Sequence, residues 1–215
     1  MGTEAKDAKK VAARRWFDRR AARYGTGRGS GWLAMVQGEA FGALELRAGD
    51  RLLDVGCGPG AAVLQAAPLV ERAVGVDLSE QMIQRARKAA GDVANVEFRV
   101  ADSELLPFED DAFTAVLCST SFHHYPNPGR AVREMARVLV PDGRFVLADA
   151  SADLRAARVA DVFLRRLEPG HVRLYRSTEL AAFVQDAGFV RARMRRLSGG
   201  GYVIVAARRP PTEPA

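Results

Sequence analysis

Cysteine is scarce in this 215-residue chain: Cys57 and Cys118 are the only two, 61 positions apart. With no CxxC pair and no local Cys/His cluster, a disulfide scaffold and the common zinc frameworks are excluded, and no metal is expected. A reducing, cytoplasmic setting is the expectation. Long apolar runs are also missing, and nothing approaches the roughly 20 residues of a membrane span. The N-terminus is polar and basic with no apolar segment behind it, so no secretory leader is expected. Lysine is nearly absent after Lys10, with Lys88 alone remaining.

What is present describes an ordinary folded protein. The chain is 48% hydrophobic and 27% charged, which excludes wholesale disorder. Its length suits one domain with attachments rather than two domains. The net charge of +6 is uneven. Residues 1–30 and 151–215 each carry +6, and residues 31–150 carry −6. A nucleic-acid binder usually concentrates basic residues on its binding face. Here the best-marked segment is the acidic one, so no nucleic-acid partner is expected. The basic ends leave open an anionic substrate or a membrane surface, the latter not favoured.

Residues 6–24 predict a helix with Ala13, Trp16, Phe17, Ala21 and Tyr24 on one stripe. The stretch 25–31, GTGRGSG, reads as a flexible hinge, and a second helix is predicted over 32–46. Then short apolar strands alternate with helices. Strands are predicted at 51–55, 73–77, 96–100, 112–118 and 143–149. Helices are predicted at 61–69, 79–90 with Ser79 as N-cap, and 128–139. That rhythm implies a doubly wound, mostly parallel α/β sheet. Two further strand-like runs, 189–197 and 202–208, predict an antiparallel hairpin closing the sheet. Residues 210–215 read as a disordered tail.

The chemistry is concentrated in Leu52–Gly60, LLDVGCGPG. Glycines at 56, 58 and 60 between a strand and a helix let a ligand approach the backbone and the helix N–H groups. Gly56, Gly58 and Ala61 also satisfy a dinucleotide fingerprint, with Asp77 19 residues beyond Gly58. Three further features separate the readings: Asp54 inside the first strand, Asp102 directly after the third, and Cys118-Ser119 at the end of the fourth, followed by SFHHYPNP.

LLDVGCGPG (52–60), VGVDLSEQMIQRAR (74–87), ADSELLPFEDDAFTAV (101–116) and FHHYPNPGRAVREMARVLVPDGRFVLAD (122–149) occur in this order over about 100 residues. This block resembles class I S-adenosylmethionine-dependent methyltransferases. It is most similar to the small-molecule branch that includes the ubiquinone/menaquinone-type enzymes (methyltransferase type 11). The resemblance implies a Rossmann-like seven-stranded sheet with an antiparallel C-terminal hairpin. It implies S-adenosylmethionine as cofactor, S-adenosylhomocysteine as product, and in-line transfer of a methyl group to a small-molecule acceptor. Residues 1–46 would form a helical lid, 47–209 the methyltransferase domain, and the insertion 150–177 part of the acceptor pocket.

Residue by residue, the resemblance gives Gly56, Gly58 and Gly60 the methionine part of the cofactor, with Asp54 orienting the turn or meeting the ammonium through water. Asp77 would take the ribose hydroxyls, Leu78 and Met82 the adenine face, and Asp102 the adenine amino group, with Ser103 as a backbone donor. Ser119 would lie near the methionine end. Tyr24, in FDRRAARYG, would contact the cofactor from the lid. His124 and His123 are candidate general bases, and His171 and Tyr175 candidate acceptor contacts. Two departures stand out: Thr114 where the pattern usually has Asp, and Asp142 where a turn usually has Gly. The signature expected after the fourth strand in a ubiquinone-type C-methyltransferase is absent. Four other readings stay open: an interfacial methyltransferase acting on a lipid or quinone, a nucleic-acid methyltransferase, an NAD(P)-dependent oxidoreductase, and a cofactor-binding module without turnover. No Tyr-x-x-x-Lys pair supports the oxidoreductase. Oligomeric state is not legible.

Overall fold

The alternating rhythm of short apolar strands and helices becomes one sheet in the computed structural model, which describes residues 2–24, 30–197 and 201–211. Five strands run parallel: β1 (Arg51–Val55), β2 (Arg72–Asp77), β3 (Val96–Val100), β4 (Phe113–Ser119) and β5 (Leu139–Ala150). The last two, β6 (Val190–Leu197) and β7 (Tyr202–Arg208), pair antiparallel, and β7 lies against β5. The order is β3-β2-β1-β4-β5-β7-β6, so strand order reverses between β1 and β4. In an open α/β sheet such a reversal leaves a crevice beyond the carboxyl ends of the strands.

Seven helices accompany the strands among the described residues: α1 (Thr3–Arg20), α2 (Ser30–Leu44), α3 (Ala61–Ala66), α4 (Glu80–Ala90), α5 (Pro128–Val138), α6 (Arg155–Leu167) and α7 (Ser177–Asp186). Successive strand residues point to opposite faces, so the sheet has two cores. Leu53, Val74, Val116 and Leu147 pack with Val132 and Met135 of α5 and Leu180 and Val184 of α7. Leu52, Ala73, Leu117 and Val146 face the other side, with Val36 and Leu44 of α2, Val63 of α3 and Ile83 of α4. Burial on both faces explains why these strands read as continuous apolar runs.

Several expectations are corrected. The helix over residues 30–44 is not simply part of a lid, because its Val36, Ala40 and Leu44 are fully buried in the sheet's core. The stretch 25–31 lies outside the described residues at 25–29, while 30–31 open α2. The turn at 198–200 and residues 212–215 of the tail are also outside them. β5 begins at Leu139 rather than 143, running through Pro141 and Asp142 past an irregularity in its register with β4. Asp142 takes φ 59°, the left-handed conformation a glycine would adopt freely.

Thr114 has its own local reason. Its hydroxyl donates to Asp50 Oδ1 at 2.8 Å and accepts from Arg51 N at 3.0 Å. Asp50 is also held by Arg144 and by Arg47 N. Burial works against its ionised form, but these partners together hold its carboxyl below the usual range.

Residues 150–187 carry no element signal in the sequence, yet α6 and α7 occupy most of the stretch. α6 hides its signal because its buried residue is Asp161, while Val159, Val162, Phe163 and Leu167 are exposed. An amphipathic pattern pointing outward gives no sign of what it packs against.

Candidate functional site

The site is built first from the turn between β1 and α3. Gly56 and Cys57 both donate their backbone N–H to Val76 O, at 2.8 and 3.0 Å, which ties the turn to β2. The glycines then divide their work. A Cβ on Gly60 would sit 2.6 Å from Phe98, so that position is reserved for close packing. Gly58, at φ 53°, faces open space, with only the Tyr24 ring 3.7 Å from where its Cβ would be.

Asp77, at the end of β2, closes the loop. Its Oδ2 accepts from Gly58 N at 2.9 Å and its Oδ1 from Ser79 N at 2.8 Å. Ser79 caps α4 by accepting from Met82 N at 3.2 Å and donates its hydroxyl to Asp18 Oδ1 at 2.6 Å. Burial pushes the Asp77 carboxyl up to about 6; the Ser79 and Gly58 N–H groups oppose this and Asp18 adds to it. Asp54, only 3% exposed, is pushed up to about 7 by burial and then by the neighbouring Asp77.

Two adjoining cavities open at this point. The first is walled by Asp77 at the end of β2 and by Leu78 and Met82 beyond it. Asp102 and Ser103 beyond β3 and His124 beyond β4 complete that side. The second is walled by Asp54 and Ser119. Tyr24, Gly56, Gly58 and Thr120 line both, so the cavities form one cleft divided by the Tyr24 ring. Burial pushes the Tyr24 hydroxyl up to about 12, with Asp77, Glu168 and Asp149 adding to this and a hydrogen bond with Thr120 opposing it. Ser119 Oγ is buried and has no hydrogen-bond partner in the protein.

The cover carries residues that sequence reasoning missed. Lys10 of α1 reaches Asp102 Oδ2 and Glu104 Oε2, both at 2.7 Å, and lines the first cavity. Arg85 donates to Tyr24 O at 2.8 Å, fixing the residue that divides the cleft. Phe17 meets the His124 ring edge-on, with centroids 4.8 Å apart. Gly170 backs α1 so closely that a Cβ there would be 2.9 Å from Ala13 Cα. Thr120, Ser121 and Tyr125 also enter the wall, and Thr120 holds φ 56°. The aromatic stripe of α1 signalled Phe17; nothing in the sequence signalled Lys10, whose carboxylate partners lie more than 90 residues away.

Other expected site residues lie elsewhere. Gly60 lines neither cavity. His123 turns from the cleft to Asp149, its Nδ1 2.6 Å from Oδ1 and its backbone N–H on Oδ2 at 2.8 Å. Burial alone would lower its pKa, but the Asp149 carboxylate outweighs this and raises it. His124 is driven well below the usual histidine value by burial and then by His123. His171 is 1% exposed and bound through Nε2 to Asp161 Oδ1 at 2.7 Å. Tyr175 sits in the core against Phe122 and Phe183. None of residues 150–177 lines either cavity. The insertion backs the wall instead of forming it, because its polar residues find partners in the interior.

Comparison with known proteins agrees with the architecture. A family described as a methyltransferase domain matches residues 53–147. The uncharacterized methyltransferase YcgJ of Bacillus subtilis is 40% identical over 148 residues, 64% of this chain and 58% of its own. The 27-O-demethylrifamycin SV methyltransferase of Amycolatopsis mediterranei is 37% identical over 158 residues, 68% of this chain and 56% of its own. The demethylmenaquinone methyltransferase of Tropheryma whipplei (strain Twist) is 30% identical over 187 residues, 78% of each chain. The chain thus spans under two thirds of the first two relatives and over two thirds of the third. Among solved structures, a putative methyltransferase in complex with the Haloferax volcanii activator Trm112 superposes with a TM-score of 0.77. That match has 23% identity and covers 90% of this chain and 97% of the other, which establishes likeness of fold. On the ordered motifs, the sheet order and these relatives together, the chain belongs to the class I S-adenosylmethionine-dependent methyltransferases.

Proposed function

We propose that the protein transfers a methyl group from S-adenosylmethionine to a small-molecule acceptor, with the cofactor held in the cleft divided by Tyr24. The observation that carries this reading is convergence. Carboxylates, a glycine with open space before it and an apolar patch meet at the strand-order reversal, under a helix that covers them. The donor set fits the group. Each Asp77 oxygen accepts one backbone N–H and keeps acceptor capacity for a ribose hydroxyl. Leu78 and Met82 offer an apolar face to a purine. Ser119 Oγ, unpartnered in the protein, supports a polar contact at the methionine end.

Bound S-adenosylmethionine supplies an already activated methyl, so the protein's task is positioning and exclusion of water. Phe17 and Tyr24 shield the cleft. Asp102 would meet the adenine amino group while still holding Lys10. His124 is the histidine that reaches the first cavity, and burial holds its pKa below the usual histidine value. Its place in the wall, edge-on to Phe17, supports a packing and positioning role over proton abstraction.

The acceptor class is tested by S-adenosylhomocysteine release with defined panels of phenols, hydroquinones and amines, beside RNA, DNA and protein. The expected result is release with at least one small molecule. Release with macromolecules alone, or with no acceptor of any class, overturns the reading. A second reading, an apolar acceptor reached at an interface, is favoured by α6. Val159, Val162, Phe163 and Leu167 are all more than 50% exposed, and Arg155, Arg158 and Arg166 are exposed beside them. Co-sedimentation with anionic vesicles, lost in Phe163→Asp, is its expected outcome.

A further inference from the structure

The chain has three histidines, and the fold brings all of them to one place. The ring centroids of His123 and His124 are 4.0 Å apart, and His171 lies 5.4 and 6.1 Å from them. One ring nitrogen from each histidine lies within 4.8 Å of one from each of the others. One nitrogen of each ring is tied down. His123 Nδ1 meets Asp149 Oδ1 at 2.6 Å, His124 Nδ1 meets Gly170 O at 3.1 Å, and His171 Nε2 meets Asp161 Oδ1 at 2.7 Å.

Carbonyls and carboxylates only accept, so each tied nitrogen carries the hydrogen in the neutral ring. Three lone pairs are left: His123 Nε2, His124 Nε2 and His171 Nδ1. His171 Nδ1 is buried with no hydrogen-bond partner. Leaving such an atom unmet carries a desolvation cost that a bound cation would offset. An imidazole whose N–H is anchored by a carboxylate or carbonyl is the form in which proteins present histidine to a metal. Three carboxylates, Asp149, Asp161 and Glu168, lie against the rings, facing two cations, Arg165 paired to Asp161 and Lys9 on His171 O at 3.3 Å. The frame is also fixed in advance, since Val172 N donates to His123 O at 3.0 Å and joins the two histidine segments.

We infer that His123, His124 and His171 form a site for one divalent first-row transition ion of the zinc class, with Glu168 as the fourth ligand. Glu168 Oε1 is 3.8 Å from His124 Nε2. Nitrogens bound tetrahedrally at 2.0–2.1 Å lie about 3.3 Å apart, so separations of up to 4.8 Å close by at most about 1.5 Å. A nitrogen-and-oxygen set of this kind suits zinc, cobalt and nickel above magnesium or calcium. No sequence spacing announces the site, because His171 is 47 positions from His124. The inference does not depend on cofactor binding.

The test uses the full chain, treated with chelator and titrated with Co²⁺ alone. The expected result is one equivalent taken up, with visible d–d absorption of tetrahedral intensity that Zn²⁺ abolishes. His171→Ala should weaken uptake at least 100-fold, and Glu168→Gln about 10-fold. If His171→Ala fails to fold, His124→Ala leaves the His171–Asp161 pair in place and should show the same loss. Absence of stoichiometric uptake by the wild-type protein, or uptake unchanged in a folded histidine variant, overturns the inference.

Discussion

The two sides of the cleft are written differently in the chain. The sheet-end wall is local. Asp77 reaches Gly58 across 19 positions and Ser79 across two, so a turn and the next strand suffice to make it. The cover is assembled from afar. Lys10 meets Asp102 across 92 positions, Asp18 meets Ser79 across 61, and Lys9 reaches His171 O across 162. The wall follows from the fold's geometry, which puts glycines and carboxylates at strand ends. The cover depends on long side chains finding distant partners. The family match over residues 53–147 takes in the wall and leaves α1 outside it.

The sharpest break in the comparison is Gly60→Val. It adds a Cβ 2.6 Å from Phe98 at φ 85°, and should cost about 3 kcal/mol or more. The midpoint of urea unfolding checks it. A comparable loss from a substitution on α1 would mean that the cover is as structural as the wall.

Next is the buried carboxylate of the wall. Asp54 has a raised folded-state pKa, near 7, so ionising it destabilises the fold as pH rises from about 4 through 7. Asp54→Asn removes that cost. Its stability advantage over the wild type, read from urea unfolding midpoints, should be small at pH 4, grow through pH 7 and then level off, at roughly 1.4 kcal/mol for each unit by which the folded-state pKa is raised. An advantage independent of pH would contradict the assignment.

The cover's latch should matter less to global stability. Lys10→Met removes two partly buried ion pairs, worth about 1 kcal/mol. Its expected signature is local: faster chymotryptic cleavage at Trp16 and Phe17, with the unfolding midpoint of the sheet nearly unchanged. The smallest effect belongs to a position outside both regions. Asp142→Gly relieves a left-handed backbone at φ 59° and should raise stability by about 0.5 kcal/mol, read as a small rise in Tm.

The same division explains what the sequence made legible. β1 and β3 fall at their predicted limits, and Ser79 caps α4 as its position suggested, because period and capping are local signals. The wall residues from Gly56 to Ser103 share a short stretch of chain, and Tyr24 comes to them from the cover. Position along the chain suggests acceptor contacts for His171 and Tyr175, but neither lines the cleft. Asp161 and the aromatic core draw them inward, away from the cleft. α6 went unseen because its apolar residues face outward, and the histidine cluster because it joins two distant segments.

The most direct test of the central claim is titration calorimetry with S-adenosylhomocysteine on the wild type and Asp77→Ala, with NADH as control. The account predicts micromolar binding to the wild type, a loss of about 10- to 100-fold in the variant, and no saturable binding of NADH. Affinity unchanged in a folded Asp77→Ala, or binding of NADH in place of S-adenosylhomocysteine, would contradict it.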